Sequence, residues 1–114
     1  MGRLIKRSRE RSVHPSLLAL TDPRSPYLES YRRFYRKLLY FQGQQALRSV
    51  GVTSAQVGEG KTITSINLAF TVAEDRTKRV ALVDCDFRRP QVANYLKTPT
   101  GKGLADVIRG GRSL

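Results

Sequence analysis

An α/β fold, with parallel strands alternating with helices in a doubly wound sheet, is the architecture this sequence predicts. Three observations carry it. Two short apolar runs, Val50-Gly-Val-Thr53 and Val80-Ala-Leu-Val83, lack the polar alternation of a half-solvated strand and suit strands covered on both faces. The stretch Thr62–Ala73 between them reads as a helix, which makes a right-handed βαβ unit. A glycine-rich turn, Ala55-Gln-Val-Gly-Glu-Gly60, joins the first run to that helix.

The chain divides into three parts. Residues 1–24 read as a basic disordered tail and lead-in. The first twelve carry Arg3, Lys6, Arg7, Arg9 and Arg11 against one acid, Glu10, with few apolar side chains to hold them in a core. Residues 25–47 read as a helix and linker. Ser25 is the cap and Pro26 the first-turn residue of a helix running to about Phe41. Tyr27, Tyr31, Phe34, Tyr35, Leu38 and Phe41 recur at three- and four-residue spacing and are expected to pack. Arg32, Arg33, Arg36 and Lys37 are expected on the opposite side. Gln42-Gly-Gln-Gln45 links this helix to the first strand. Residues 48–114 contain the βαβ unit. Two strands do not cover their own apolar faces, so the sequence is expected to encode the first half of a larger domain.

Composition limits the functions open to the chain. There are 21 Lys and Arg against 9 Asp and Glu, a net charge of +12. The basic tail suits contact with anionic lipid, and no aromatic or recognition motif is interleaved with it to suggest nucleic acid. No apolar stretch is long enough for a signal peptide or a membrane span. Cys85 is the single cysteine, so a disulfide framework is excluded and a reducing cytosol fits. It is expected to point into the sheet as a small strand residue. His14 has no metal-ligand partners at suggestive spacing.

The glycine turn carries the chemistry. Gly58 and Gly60 allow the backbone to curl so that successive N–H groups face one anion, and the helix adds the positive end of its dipole. Lys61 is placed to reach phosphates and the Thr62 hydroxyl to ligate Mg²⁺. The candidate nucleotide-binding residues are Gln56, Val57, Gly58, Glu59, Gly60, Lys61 and Thr62; Ile63 is left unassigned. The phosphate-loop pattern is glycine, four residues, then Gly-Lys-Ser/Thr, and here Ala55 stands at its first position. At the carboxyl end of the second run lie Asp84 and Asp86, where α/β sheets hold their ligands. Lys61, Asp84 and Asp86 are the catalytic candidates, and Thr62 and Asp84 the metal candidates. Either aspartate suits holding the metal or drawing a proton.

The runs Val52–Thr62, Asn67-Leu-Ala69 and Val83-Asp-Cys-Asp-Phe-Arg-Arg-Pro90 resemble the bacterial tyrosine kinases of capsule and exopolysaccharide synthesis. Gly101–Gly110 is similar to the segment that follows in that family, and Asp22–Arg32 to its N-terminal helix. The resemblance covers residues 20–111 and implies a P-loop NTPase fold. It also implies phosphoryl transfer from MgATP to tyrosine, on a protein substrate or on the chain itself. A membrane adaptor or polysaccharide co-polymerase, a homo-oligomer, and a cytoplasmic place at the inner face of the plasma membrane come with it. The same resemblance leaves a partitioning-type ATPase switch as the alternative. In those relatives a signature lysine stands where this chain has Gln56. Val57 replaces a common proline. The family's Glu, Arg, Arg helix motif reads Glu29, Arg32, Tyr35 here, and its second aspartate motif and tyrosine cluster fall beyond Leu114.

Overall fold

The computed structural model describes residues 13–110; the basic run expected to be disordered lies outside them. Among the described residues five helices follow one another: α1 (Leu18–Thr21), α2 (Pro26–Phe41), α3 (Lys61–Ala73), α4 (Val92–Leu96) and α5 (Leu104–Ile108). The long helix begins where its sequence requires. Ser25 Oγ accepts a hydrogen bond from the Tyr27 N–H at 3.4 Å, and Pro26 occupies the first turn, where no N–H is needed.

Helix α3 is rich in β-branched residues: Thr62, Ile63, Thr64, Ile66, Thr71 and Val72. These lose side-chain freedom in a helix, so α3 depends on tertiary packing. That packing comes from α2 and α1, which both lie against it. The fully buried apolar side chains are Leu17, Leu28 and Ile66, with Leu68 close behind. Each stabilises the fold by about 1.5–3 kcal/mol through removal from water.

Polar side chains lock the same contact. Asn67, on α3, is buried; its Oδ1 accepts from the Ala19 N–H at 3.2 Å and its Nδ2 donates to the Ser16 carbonyl at 3.0 Å. Arg32, on α2, forms a bidentate pair with Glu74 just past the end of α3, with both nitrogen–oxygen distances 2.9 Å. The His14 ring packs tilted against that of Tyr95 of α4 with centroids 4.5 Å apart, and the His14 backbone N–H donates to the Tyr95 carbonyl. The lead-in residues from 13 onward are thus part of the packed structure.

Four expectations change. Among the described residues there is no strand: 46–54 and 78–86 run without regular structure. A strand is defined by its ladder, and neither run has a hydrogen-bonded neighbour, so Val50, Val80 and Val83 stay exposed. Cys85, expected to point into the sheet, is exposed for the same reason. The buried stripe of α2 runs through Leu28, with Tyr31, Tyr35 and Leu38 half-buried along it, while Tyr27 (74 % exposed), Phe34 and Phe41 (79 % exposed) face outward. Arg32, expected on the solvent side, turns inward because Glu74 supplies its counter-charge.

Candidate phosphate-binding site

The turn between residues 54 and 61 is shaped by two glycines. Gly58 (φ 85°) and Gly60 (φ 88°) both adopt the left-handed conformation that side-chain-bearing residues avoid. A Cβ at either position would meet nothing within 4 Å, so backbone conformation alone demands glycine. Gly60 is also the N-cap of α3, which aims the positive end of a 13-residue helix at the turn. The Ser54 hydroxyl donates to the Gln56 carbonyl at 3.0 Å, and the Gln56 N–H donates to the Glu59 carboxylate at 3.0 Å. Val57 projects into solvent.

Lys61 and Thr62 occupy the first turn of α3, both half-buried, followed by Ile63. Lys61 Nζ lies 3.0 Å from Asp86 Oδ2. Two residues 25 positions apart, singled out separately in the sequence, thus meet at the mouth of the glycine turn. The other oxygen of Asp86 accepts from the Arg89 N–H at 3.0 Å. That backbone bond, and then Lys61, hold the Asp86 carboxyl below its ordinary pKa.

Asp84 is placed differently. Its Oδ1 accepts from the Asp86 N–H at 3.0 Å, and its Oδ2 accepts from the N–H groups of Gln91 at 3.0 Å and Val92 at 3.1 Å. The carboxylate therefore pins residue 86 and the start of α4 to one point. Sequence reading missed this role, since contacts seven and eight residues ahead leave no local signature. It missed Asn67 too, although an asparagine inside a helix otherwise rich in apolar and β-branched residues is itself a signal. Among the described residues no cluster of three or more His, Cys, Asp or Glu side chains could hold a metal ion unaided. No helix there is long and apolar enough to cross a membrane.

The stretch that carries this turn is similar in sequence to known nucleotide-binding proteins. Residues 50–105 match the CobQ/CobB/MinD/ParA nucleotide binding domain, a span that includes the glycine turn, Lys61 and both aspartates. The tyrosine-protein kinase YwqD of Bacillus subtilis is 32% identical over 91% of this chain and 44% of its own length. The tyrosine-protein kinase wzc of Salmonella typhi is 33% identical over 89% of this chain and 14% of its own. The putative tyrosine-protein kinase CapB of Staphylococcus aureus is 26% identical over 89% and 44%. The chain thus spans less than half the length of these relatives. No solved structure matches it significantly. Residues 50–105 thus match a P-loop nucleotide-binding domain of the CobQ/CobB/MinD/ParA kind, in a chain similar over most of its length to bacterial tyrosine-protein kinases.

Proposed function

We propose that the protein is an ATP-dependent tyrosine kinase, acting on a protein substrate or on itself, in the control of polysaccharide assembly and export. The observation that carries the reading is the meeting of Lys61 with Asp86 beside the glycine turn. It puts a compact cation, an ionised carboxylate and a helix N-terminus beside the same glycine turn.

In this reading the concave side of the turn takes the phosphates of ATP. The left-handed Gly58 and Gly60 keep the backbone clear for close approach. Lys61 turns from Asp86 to the phosphates and offsets the charge that develops on the group being transferred. Asp86, freed and held ionised, accepts the proton of the incoming tyrosine hydroxyl. The tyrosine oxygen forms the new bond to phosphorus as the bond to the bridging oxygen of ADP breaks. Mg²⁺ supplies further charge neutralisation when bound, and the Thr62 hydroxyl is the side chain in the first turn suited to hold it. Asp84 positions this apparatus through its three backbone bonds, and the one lone pair left on Oδ1 is what it would offer towards holding Mg²⁺.

The finer proposals rest on the family resemblance of the motifs. The irregular segments 46–54 and 78–86 become members of a doubly wound, mostly parallel sheet in the complete domain. A membrane adaptor or co-polymerase and further copies of the chain are the proposed partners, at the inner face of the plasma membrane; nucleic acid is not. Gln56, in place of the signature lysine, favours the kinase over a partitioning switch. Phosphotyrosine formation and ATP hydrolysis, measured on the full-length protein and its Lys61→Ala variant, test the assignment. A kinase shows phosphotyrosine that disappears with Lys61. ATP hydrolysis without phosphotyrosine favours the switch, and unchanged activity in the variant refutes the cradle.

A further inference from the structure

We propose that Tyr40, in the last turn of α2, is phosphorylated by a second copy of this chain, and that Arg33, Arg36 and Lys37 hold the phosphate it acquires. The inference rests on the kinase reading above and gives it an acceptor. Helix geometry gathers these side chains: Lys37, Arg36 and Arg33 lie three, four and seven residues before Tyr40, on one side of α2. Together with Phe41 they line one shallow depression, and all five are exposed. Arg36 pairs with Glu29, Nη2 to Oε1 at 2.6 Å. Among the described residues no carboxylate lies within ion-pair distance of Arg33 or Lys37. The stripe therefore carries cationic charge that the chain leaves unmatched.

A tyrosine can enter a kinase site when its hydroxyl is open and its backbone can be drawn out. Tyr31, Tyr35 and Tyr95 are half-buried, and the Tyr35 hydroxyl oxygen is enclosed. Tyr27 is open, but it lies in the capped first turn of α2, and the depression it lines contains no lysine or arginine. Tyr40 is 82 % exposed, one residue from the end of α2, and the left-handed turn at Gly43 (φ 59°) follows it. Only a terminal helical turn has to fray to present it. The acting site belongs to another copy because α2 carries Tyr40 away from Lys61. Tyr27 lies beside Ile63 at the start of α3, and Arg32 already reaches Glu74 past its end. Tyr40 stands about 12 Å further along α2, beyond a helix about 20 Å long. Its hydroxyl oxygen attacks the γ-phosphorus of ATP on the second copy, the bond to the bridging oxygen of ADP breaks, and Asp86 of that copy takes the proton. The new phosphate carries about −1.5 to −2 charges at neutral pH. It sits at the negative end of the α2 dipole, where an anion needs counter-charge, and the three cations supply it.

The test incubates the full-length protein with MgATP and scores each tyrosine by peptide mass spectrometry. Tyr40→Phe serves as the control; it removes the acceptor but keeps the ring beside Phe41, centroids 5.7 Å apart. Phosphate is expected on Tyr40 and far less on Tyr27. Isotope-labelled Lys61→Ala protein, inactive alone, is expected to gain phosphate at Tyr40 when mixed with wild type. In the Arg33→Gln/Lys37→Gln double variant an added phosphatase should clear Tyr40 about two- to tenfold faster, the worth of one or two exposed charge pairs. Phosphate on other tyrosines with none on Tyr40 overturns the inference and leaves the kinase standing. Equal labelling of Tyr27 and Tyr40 would make exposure alone decisive, which also overturns it. So would an unchanged phosphatase rate in the double variant, or a Lys61→Ala protein that stays bare beside labelled wild type. No phosphotyrosine anywhere removes the kinase reading and the acceptor with it.

Discussion

Replacing Asp84 separates the two roles its carboxylate can play. The structure gives it three backbone N–H partners at 3.0–3.1 Å, two on Oδ2 and one on Oδ1. Asparagine retains one oxygen, which can keep the Gln91 and Val92 bonds, but its NH₂ group then faces the Asp86 N–H, donor against donor. Losing one such bond and leaving its donor without a partner costs about 1–3 kcal/mol. Alanine abandons all three, and allowing for partial rehydration at a half-buried site its cost is about 2–5 kcal/mol. Denaturant unfolding of the full-length protein measures both numbers. If Asp84 works by holding the loop, loss of stability and loss of phosphoryl transfer rise together from Asn to Ala, because Asp86 drifts from Lys61. If it works through charge at the metal, Asn and Ala abolish transfer equally while Asn stays close to wild type in stability. Equal stability of all three proteins would refute the positioning role.

Two further outcomes follow from the packing. Asn67→Ala removes both ties to the Ser16–Ala19 segment, and unfolding should register a loss of about 2–4 kcal/mol from two broken hydrogen bonds and a small cavity; a change under about 0.5 kcal/mol, the usual scale of surface substitutions, would show the tie to be incidental. The Arg32 guanidinium, hydrogen-bonded to Glu74, lowers that carboxyl below its ordinary value of 4.5. Because the folded pKa lies below the unfolded one, the pair's stabilisation is present above about pH 4.5 and is lost as pH falls through the folded value. Arg32→Ala should flatten that part of the stability–pH curve, read by urea midpoints between neutral pH and about pH 3, below the usual carboxylate range; an unchanged curve would remove the pair from the account.

Local chemistry was legible in the sequence and long-range chemistry was not. Ser25-Pro26 announced the start of α2, and Gly58, Gly60 and Lys61 announced the turn and the next helix, because caps and left-handed glycines act within a few residues. The buried face on α2 was legible in part: Tyr31, Tyr35 and Leu38 lie along it, while Tyr27, Phe34 and Phe41 do not. Aromatic spacing pointed to Tyr27, but Leu28 fills the space between α2 and α3, and only the neighbouring helix decides that. α1 was invisible, since four residues carry no periodicity and it stands by lying against α2 and α3. The Arg32–Glu74 pair spans 42 residues, and the ties of Asn67 span 48 and 51. The Lys61–Asp86 meeting was anticipated only as two motifs near one end of a sheet. Its closeness is a matter of geometry.

Helix α3 is gripped at two points away from the phosphate loop: at its middle through Asn67 and just beyond its end through Glu74. A rod clamped along its length and at its far tip is not free to slide or pivot when something presses on its near end. In the proposed cradle, the recoil of phosphate binding at residues 56–61 would therefore fall on the loop and the Lys61 side chain. The N-terminal helices, by supplying those clamps, act as an abutment behind the loop.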